Sequence, residues 1–455
     1  MPDFARMHRQ NPTTKKLRDQ IFEYAAERMD FDPVPLDSPK TPEELLNLAG
    51  QTLTESGLGG EHALEIFREI LAPATISTDH PNYLSFIPAA PTEAASLFDL
   101  VVSASSIYGG SWMEGAGAVF AENQVLALLA NECGLPKTSG GVFVQGGTLG
   151  NLSALVVARE QAKKKFGERD FAILCSSESH SSIKSVAKVM GVKTVAADAG
   201  DSGSIGREAI SVAYQQATAQ GITPFAVVGT AGTTNFGILD NLEELAAFAT
   251  EQSLWFHVDG AYGLAGILSP EHKPLYKGVE HADSFIVDPH KWLYAPFDAC
   301  ALVYRNPELA REVHTQHGEY LETLNESGDY NPSDYAFNLT RRVRGLPLWF
   351  SLATHGIAAY REAIAANIDL AKQIATEISK RDYLKLVREP QLSVVVFERV
   401  GWGQKDYDNW SAQLLAAGFA FVVPSSHRGK PNTRFAIVNP RTKFEDLVKI
   451  LESMR

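Results

Sequence analysis

The chain has 455 residues, enough for about three domains at roughly 150 residues each, and 45% of them are hydrophobic, as in a globular protein with a large core. A formal net charge of −13 argues against nucleic acid or an anionic membrane surface as the main partner. The three cysteines, Cys133, Cys175 and Cys300, show no paired spacing, which argues against a disulfide framework or a zinc site and points to a reducing, cytoplasmic setting.

The opening residues lack the apolar run of a signal peptide, and no stretch reaches the ~20 apolar residues of a membrane span. Residues 1–75 read as an amphipathic helical segment with helices at 16–29, 42–55 and 61–71. These are too few for a core of their own, so they are expected to lie on another surface, that of a second subunit. From 76 to 352, short apolar runs alternate with helical ones. Strands are expected at 142–144, 171–175, 193–197, 225–230, 254–258, 284–287 and 299–304, and helices at 149–166, 181–190, 207–219 and 241–252. This alternation predicts an α/β domain whose seven strands form a mostly parallel sheet covered on both faces. The pattern changes over residues 353–455, with a long helix near 354–380, strands at 392–400, 419–423 and 433–438, and helices near 407–417 and at the end. They read as a small α+β domain.

Ligands of open α/β sheets bind beyond the carboxyl ends of the strands, and five ends here are polar, glycine-rich or ionisable. Gln145-Gly146-Gly147-Thr148-Leu149-Gly150-Asn151 follows a strand and opens a helix. Its glycines let backbone N–H groups approach an anion at a helix N-terminus. It lacks the Gly-Lys-Ser/Thr ending of a Walker A loop and does not match the dinucleotide fingerprint. Alone, it would be a tight turn. Likewise Asp259 alone would cap a turn, Lys291 would be a surface lysine and His180 a turn histidine. Their gathering at one end of one sheet is what argues for chemistry. A phosphate cradle, a carboxylate, a flat histidine and a lysine suit pyridoxal 5'-phosphate: the lysine forms a Schiff base and the carboxylate keeps the ring nitrogen protonated.

HVDGAYG at 257–263, ADSFIVDPHKWLYAPFD at 282–298 and the His-Ser pair at 180–181 closely resemble the group II pyridoxal-phosphate-dependent amino acid decarboxylases. That family includes the aromatic-L-amino-acid, histidine and glutamate decarboxylases. The likeness runs from about residue 80 to about residue 352. It implies the aspartate aminotransferase-like (type I) fold. It also implies roles: Lys291 holds the cofactor, Asp259 pairs with the ring nitrogen, His180 stacks on the ring and Ala261 packs on its other face. Gly147, Thr148, Leu149 and His290 would serve the phosphate. Asp288 stands where some relatives carry Asn as a phosphate contact; a carboxylate beside a dianion is odd, and orienting neighbours is the other reading. Thr234 would hydrogen-bond near Asp259 or the ring oxygen. Tyr320, in a polar segment after the lysine, matches the lid tyrosine that protonates the substrate carbon once CO2 leaves; Tyr330 and Tyr335 compete for that role.

The resemblance implies decarboxylation of an L-amino acid to its amine. Relatives with Phe for the tyrosine or Asn for the histidine give aldehydes, and this chain has both residues. A substrate pocket of Phe86, Ile87, Pro88, Tyr108, Gly110, Trp112 and Thr340 is largely apolar and favours an aromatic side chain. A non-aromatic substrate (glutamate, histidine, diaminobutyrate) and an aldehyde-forming reaction stay open. Arg341 and Arg342 are expected to pair with nearby acids. The family's sites form between two subunits, which implies a homodimer.

Overall fold

The computed structural model describes residues 5–88, 90–319 and 328–455. A seven-stranded sheet organises the chain. Its strands are β1 (Gly140–Val144), β2 (Phe171–Ser176), β3 (Lys193–Ala197), β4 (Thr223–Thr230), β5 (Trp255–Asp259), β6 (Ser284–Val287) and β7 (Cys300–Tyr304), in the order β1-β7-β6-β5-β4-β2-β3. Pairings among β2 to β6 are parallel, and β7 runs against its two neighbours.

Alternate residues of the inner strands enter opposite cores, which is why those strands read as largely apolar runs, whereas the edge strand β3 is only partly buried. Phe143, Leu174, Val227, Phe256, Val258, Phe285 and Val303 pack with the helices Trp112–Glu132, Arg207–Ala219, Leu242–Gln252 and Leu346–Ser379. On the other face, Val142, Ile173, Val228, Ile286 and Leu302 meet the helices Gly147–Phe166, Ser181–Met190 and Pro307–His314. Side chains at 255, 257 and 259 share this second face, since residues two apart on a strand point the same way.

A four-stranded antiparallel sheet, β8 (Leu384–Leu386), β9 (Val394–Arg399), β10 (Pro424–His427) and β11 (Lys430–Ala436), follows in the order β10-β11-β9-β8. Val394, Val396 and Ala436 join the core of the large sheet, so the two sheets share apolar packing.

Three expected elements differ. The helix expected at 42–55 is Pro42–Ala49: Thr41 and Glu44 cap its start, and Gly50 at φ 66° ends it in a conformation that glycine adopts readily. The strand expected at 419–423 shrinks to one bridge, Tyr83 to Phe421, because the segment pairs with residues 82–84 (Phe421 N–H to Asn82 O, 3.0 Å; Leu84 N–H to Phe421 O, 3.0 Å). The long C-terminal helix begins eight residues early, at Leu346, and breaks at Gly356. No helix among the described residues is long and apolar enough to cross a membrane.

Candidate active site

The carboxyl ends of β1, β2, β4, β5 and β6 open onto one cavity of about 720 Å3. That is within the few hundred to ~1,000 Å3 usual for small-molecule sites. Lys291, Asp259, His180, Gly147, Thr148, Leu149, Thr234, Ala261, Asp288 and His290 all line it.

One end is a cradle for an anion. The helix Gly147–Phe166 starts at Gly146 with no capping side chain, so its first N–H groups carry the unpaired partial positive charge of a helix N-terminus. A Cβ at Gly147 would lie 3.2 Å from Asp288 Oδ2 and 3.3 Å from the Ala261 Cβ. Glycine therefore lets backbone approach where a side chain would crowd it. His290 stands beside the cradle; its Nδ1 is 2.7 Å from Ala299 O, and burial lowers its pKa.

Lys291 and Asp288 form a pair at 2.9 Å, with the Asp288 side chain only 2% exposed. Burial pulls the lysine pKa down, but the charge and hydrogen bond of Asp288, together with the charges of Asp259 and Cys300, more than offset it, and the net shift is upward. Asp288 Oδ1 has no hydrogen-bond partner, an unfilled acceptor in the wall beside the cradle. Asp288 thus holds the lysine ammonium.

Asp259 ends β5, 5% exposed. Its Oδ1 accepts from Ala261 N–H (3.2 Å) and its Oδ2 from Asn151 Nδ2 (3.0 Å). Thr234 lines the cavity but makes no hydrogen bond to Asp259; Asn151, one helical turn beyond Gly147, takes that place. His180 begins the helix Ser181–Met190, and its Nδ1 accepts from Ser182 N–H (3.2 Å), which makes Nε2 the end free to donate.

Phe86, Ile87 and Pro88 are in the wall, with Tyr83 and Phe297. Tyr108, Gly110, Trp112 and Thr340 are not. The Tyr108 turn is instead tied to residues 331–341: Gly109 N–H donates to Arg341 O (3.1 Å), Trp112 N–H to Asn331 Oδ1 (3.0 Å) and the Tyr108 hydroxyl to Leu339 O (3.1 Å). Arg341 pairs with Glu122 at 2.9 Å and Arg342 with Asp99 at 2.8 Å. Tyr320 lies outside the described residues. Its competitors are committed elsewhere: Tyr330 donates to Gly141 O (2.6 Å) and stacks on Tyr335, with ring centroids 4.3 Å apart.

Three further residues of the cavity carry no functional signal in the sequence when taken alone: Asn151, Arg434 and Ser182. Arg434 comes from β11; burial lowers its pKa, and its Nη1 has no hydrogen-bond partner. Helical spacing from Gly147 would have found Asn151. Nothing local marks Arg434, which reaches the cavity from the other sheet.

A lysine in the wall, a buried carboxylate fixed by two donors and an uncapped helix start fit pyridoxal phosphate: imine-forming amine, ring-nitrogen partner and phosphate cradle. No cluster of metal-binding side chains occurs among the described residues.

Comparison with known proteins gives the same answer. The chain is 29% identical over 423 residues to an aromatic-L-amino-acid decarboxylase of Bacillus atrophaeus, covering 90% of this chain and 88% of the relative. It is 30% identical over 427 residues to an L-2,4-diaminobutyrate decarboxylase of Rhizobium meliloti (strain 1021), covering 88% and 83%. The crystal structure of mouse CSAD superposes with a TM-score of 0.89 at 25% identity, covering 98% of both chains. The family model for the pyridoxal-dependent decarboxylase conserved domain matches residues 42–400, a span that holds the cradle, Asp259 and Lys291, and the chain belongs to that family of pyridoxal-phosphate-dependent amino acid decarboxylases.

Proposed function

We propose that the chain decarboxylates an L-amino acid with an apolar, ring-bearing side chain, releasing the amine and CO2. The observation that carries the substrate class is the wall of Tyr83, Phe86, Ile87, Pro88 and Phe297 in the same cavity as Lys291. The likeness to an aromatic-L-amino-acid decarboxylase supports it.

Bound pyridoxal phosphate supplies a carbonyl that condenses with amines and a ring that accepts the electron pair left when CO2 departs. The chain supplies the rest. Lys291 is the amine of the wall and would hold the cofactor through its carbonyl. Asp259 holds the proton on the ring nitrogen. His180 offers Nε2–H to the substrate carboxylate. The aromatic and aliphatic wall keeps water from the reacting carbon. Tyr320 delivers the proton to that carbon, which separates amine from aldehyde as product.

Two copies would form the working unit, each lending its Tyr108 turn to the other's cavity. Leu97, Leu100, Val101, Met113 and Phe120 are exposed on the helices Glu93–Ser105 and Trp112–Glu132, and a second chain would cover them. Three free, buried cysteines fit a reducing, cytoplasmic setting.

Arg434 favours a second reading. A half-buried guanidinium whose buried Nη1 is unpaired suits a second carboxylate on the substrate. A panel of L-amino acids assayed for CO2, amine and peroxide with added cofactor decides. Aromatic amino acids should turn over fastest, with one amine per CO2. Preference for an acidic amino acid would move the assignment to the second reading, and stoichiometric peroxide would overturn amine formation.

A further inference from the structure

Behind Asp259 lies a line of hydrogen bonds that enters from the opposite end of the strand. Trp255 Nε1 is 2.8 Å from Ser284 Oγ, Ser284 Oγ is 2.8 Å from His257 Nδ1, and His257 Nε2 is 2.8 Å from Asn151 Oδ1. Asn151 Nδ2 then donates to Asp259 Oδ2 (3.0 Å) and to Ser182 Oγ (3.1 Å). Ser284 and His257 are fully buried and Asn151 is 1% exposed.

The two ends fix every proton between them. An indole N–H can only donate and a carboxylate can only accept. Asp259 can only accept, so Asn151 gives it an N–H and leaves Oδ1 to accept from His257 Nε2–H, and His257 Nδ1 is left to accept from the Ser284 hydroxyl. The amide NH2 faces both Asp259 and Ser182. Burial pushes the His257 pKa down to about 4, against the opposing pulls of Asp259 and of a hydrogen bond to the Ser284 backbone, so the imidazole is neutral. The carboxylate is the one charge in the line.

We propose that His257 and Asn151 are positioning residues that hold Asp259 as a pure acceptor, aimed at the ring nitrogen of the cofactor, and tie its position to the His180 helix through Ser182. The inference rests on Asp259 being the partner of that nitrogen. With Asn151 or His257 unable to donate, Asp259 loses its fixed orientation, and the ring nitrogen loses a defined counter-charge. Losing a hydrogen bond to a charged group typically costs roughly tenfold or more in an equilibrium constant.

The test uses holoenzyme carrying cofactor labelled with 15N at the ring nitrogen. In Asn151→Leu and His257→Leu, the ring-nitrogen resonance should move from the protonated toward the neutral position, and cofactor should bind roughly tenfold more weakly. His257→Gln, whose amide can still donate to Asn151, should recover most of both. Unchanged resonances in the leucine variants, alongside a shift in Asp259→Ala, would overturn the relay while leaving the Asp259 pairing intact. If Asp259→Ala also leaves the resonance in place, the pairing itself is wrong and the relay falls with it. Should the leucine variants fail to fold, 15N-histidine spectra of the unmodified enzyme decide, with His257→Gln identifying the signal. A neutral His257 bearing its hydrogen on Nε2 supports the relay, and the Nδ1–H tautomer or a charged ring overturns it.

Discussion

Lys291 Nζ lies 2.9 Å from Asp288 Oδ2, three residues earlier at the start of the same short helix, Pro289–Trp292. The pair holds the lysine in its charged form, yet an amine must be neutral to attack a carbonyl. If Lys291 takes the cofactor, Asp288 would slow its loading even as it places the lysine.

Asp288→Asn removes the largest of the charges that raise the Lys291 pKa and leaves desolvation, which lowers it, opposed only by the weaker effects of Asp259 and Cys300. Apoenzyme of this variant should take up cofactor faster, by roughly tenfold at neutral pH for each unit the lysine pKa falls. The pH at which loading reaches half its maximal rate should move down. Stopped-flow absorbance from acid to alkaline pH measures it; a loading profile that overlays the wild type removes Asp288 from this role.

Lys291→Ala strands Asp288, 2% exposed and already lacking a partner at Oδ1. Breaking one side of a buried pair typically destabilises by about 3–5 kcal/mol. The apoprotein should lose on that order in denaturant unfolding, besides losing the cofactor's visible absorption. Adding Asp288→Asn should restore a large part of the loss. A double variant no more stable than Lys291→Ala would show that the pair is not the source.

Where this chemistry sits could be read from the chain because it is local. Asp259 and Asp288-Pro-His-Lys291 directly follow apolar runs, and both runs are strands of the sheet. The inner strands were legible for the same reason, since a sheet buried on both faces leaves largely apolar stretches, and the partly buried edge strand β3 was legible from its short apolar run between helices. His257, two residues from Asp259 and therefore on its face of β5, was equally accessible but reads alone as a core histidine. Arg434 was not legible. It sits on a strand of the second sheet, and only the packing of the two sheets brings it to the cavity. Residues 419–423 misled because their apolar alternation reflects burial against residues 82–84 rather than membership of a ladder.

Arg434 can take either of two carboxylates, and one substitution separates them. Arg434→Gln removes the charge and keeps a polar group of similar reach. If the guanidinium binds the α-carboxylate, KM should rise for every amino acid, by roughly 10- to 100-fold for a lost charged hydrogen bond. If it binds a side-chain carboxylate, only acidic amino acids should suffer. Cofactor affinity should be unchanged in both cases; weakened cofactor binding would place Arg434 at the cofactor instead.

His257 also predicts how the protein responds to acid. Its pKa is about 4 in the folded chain, against 6.5 for the free side chain, so the unfolded chain binds more protons between those values. Stability contributed by the neutral imidazole is thus complete above pH 6.5 and is lost as pH falls toward 4. A shift of that size corresponds to about 3 kcal/mol. Burial lowers His80, His272, His290 and His314 in the same direction, so the wild type should weaken steadily over this range. In His257→Gln the others remain, and the slope of unfolding free energy between those two pH values should flatten by the share of one histidine. Denaturant midpoints of the apoprotein at closely spaced pH steps measure it. A variant that weakens in parallel with the wild type would mean that folded His257 takes up its proton as readily as the unfolded chain does, which is incompatible with a neutral imidazole held in a line of hydrogen bonds from Trp255 to Asp259.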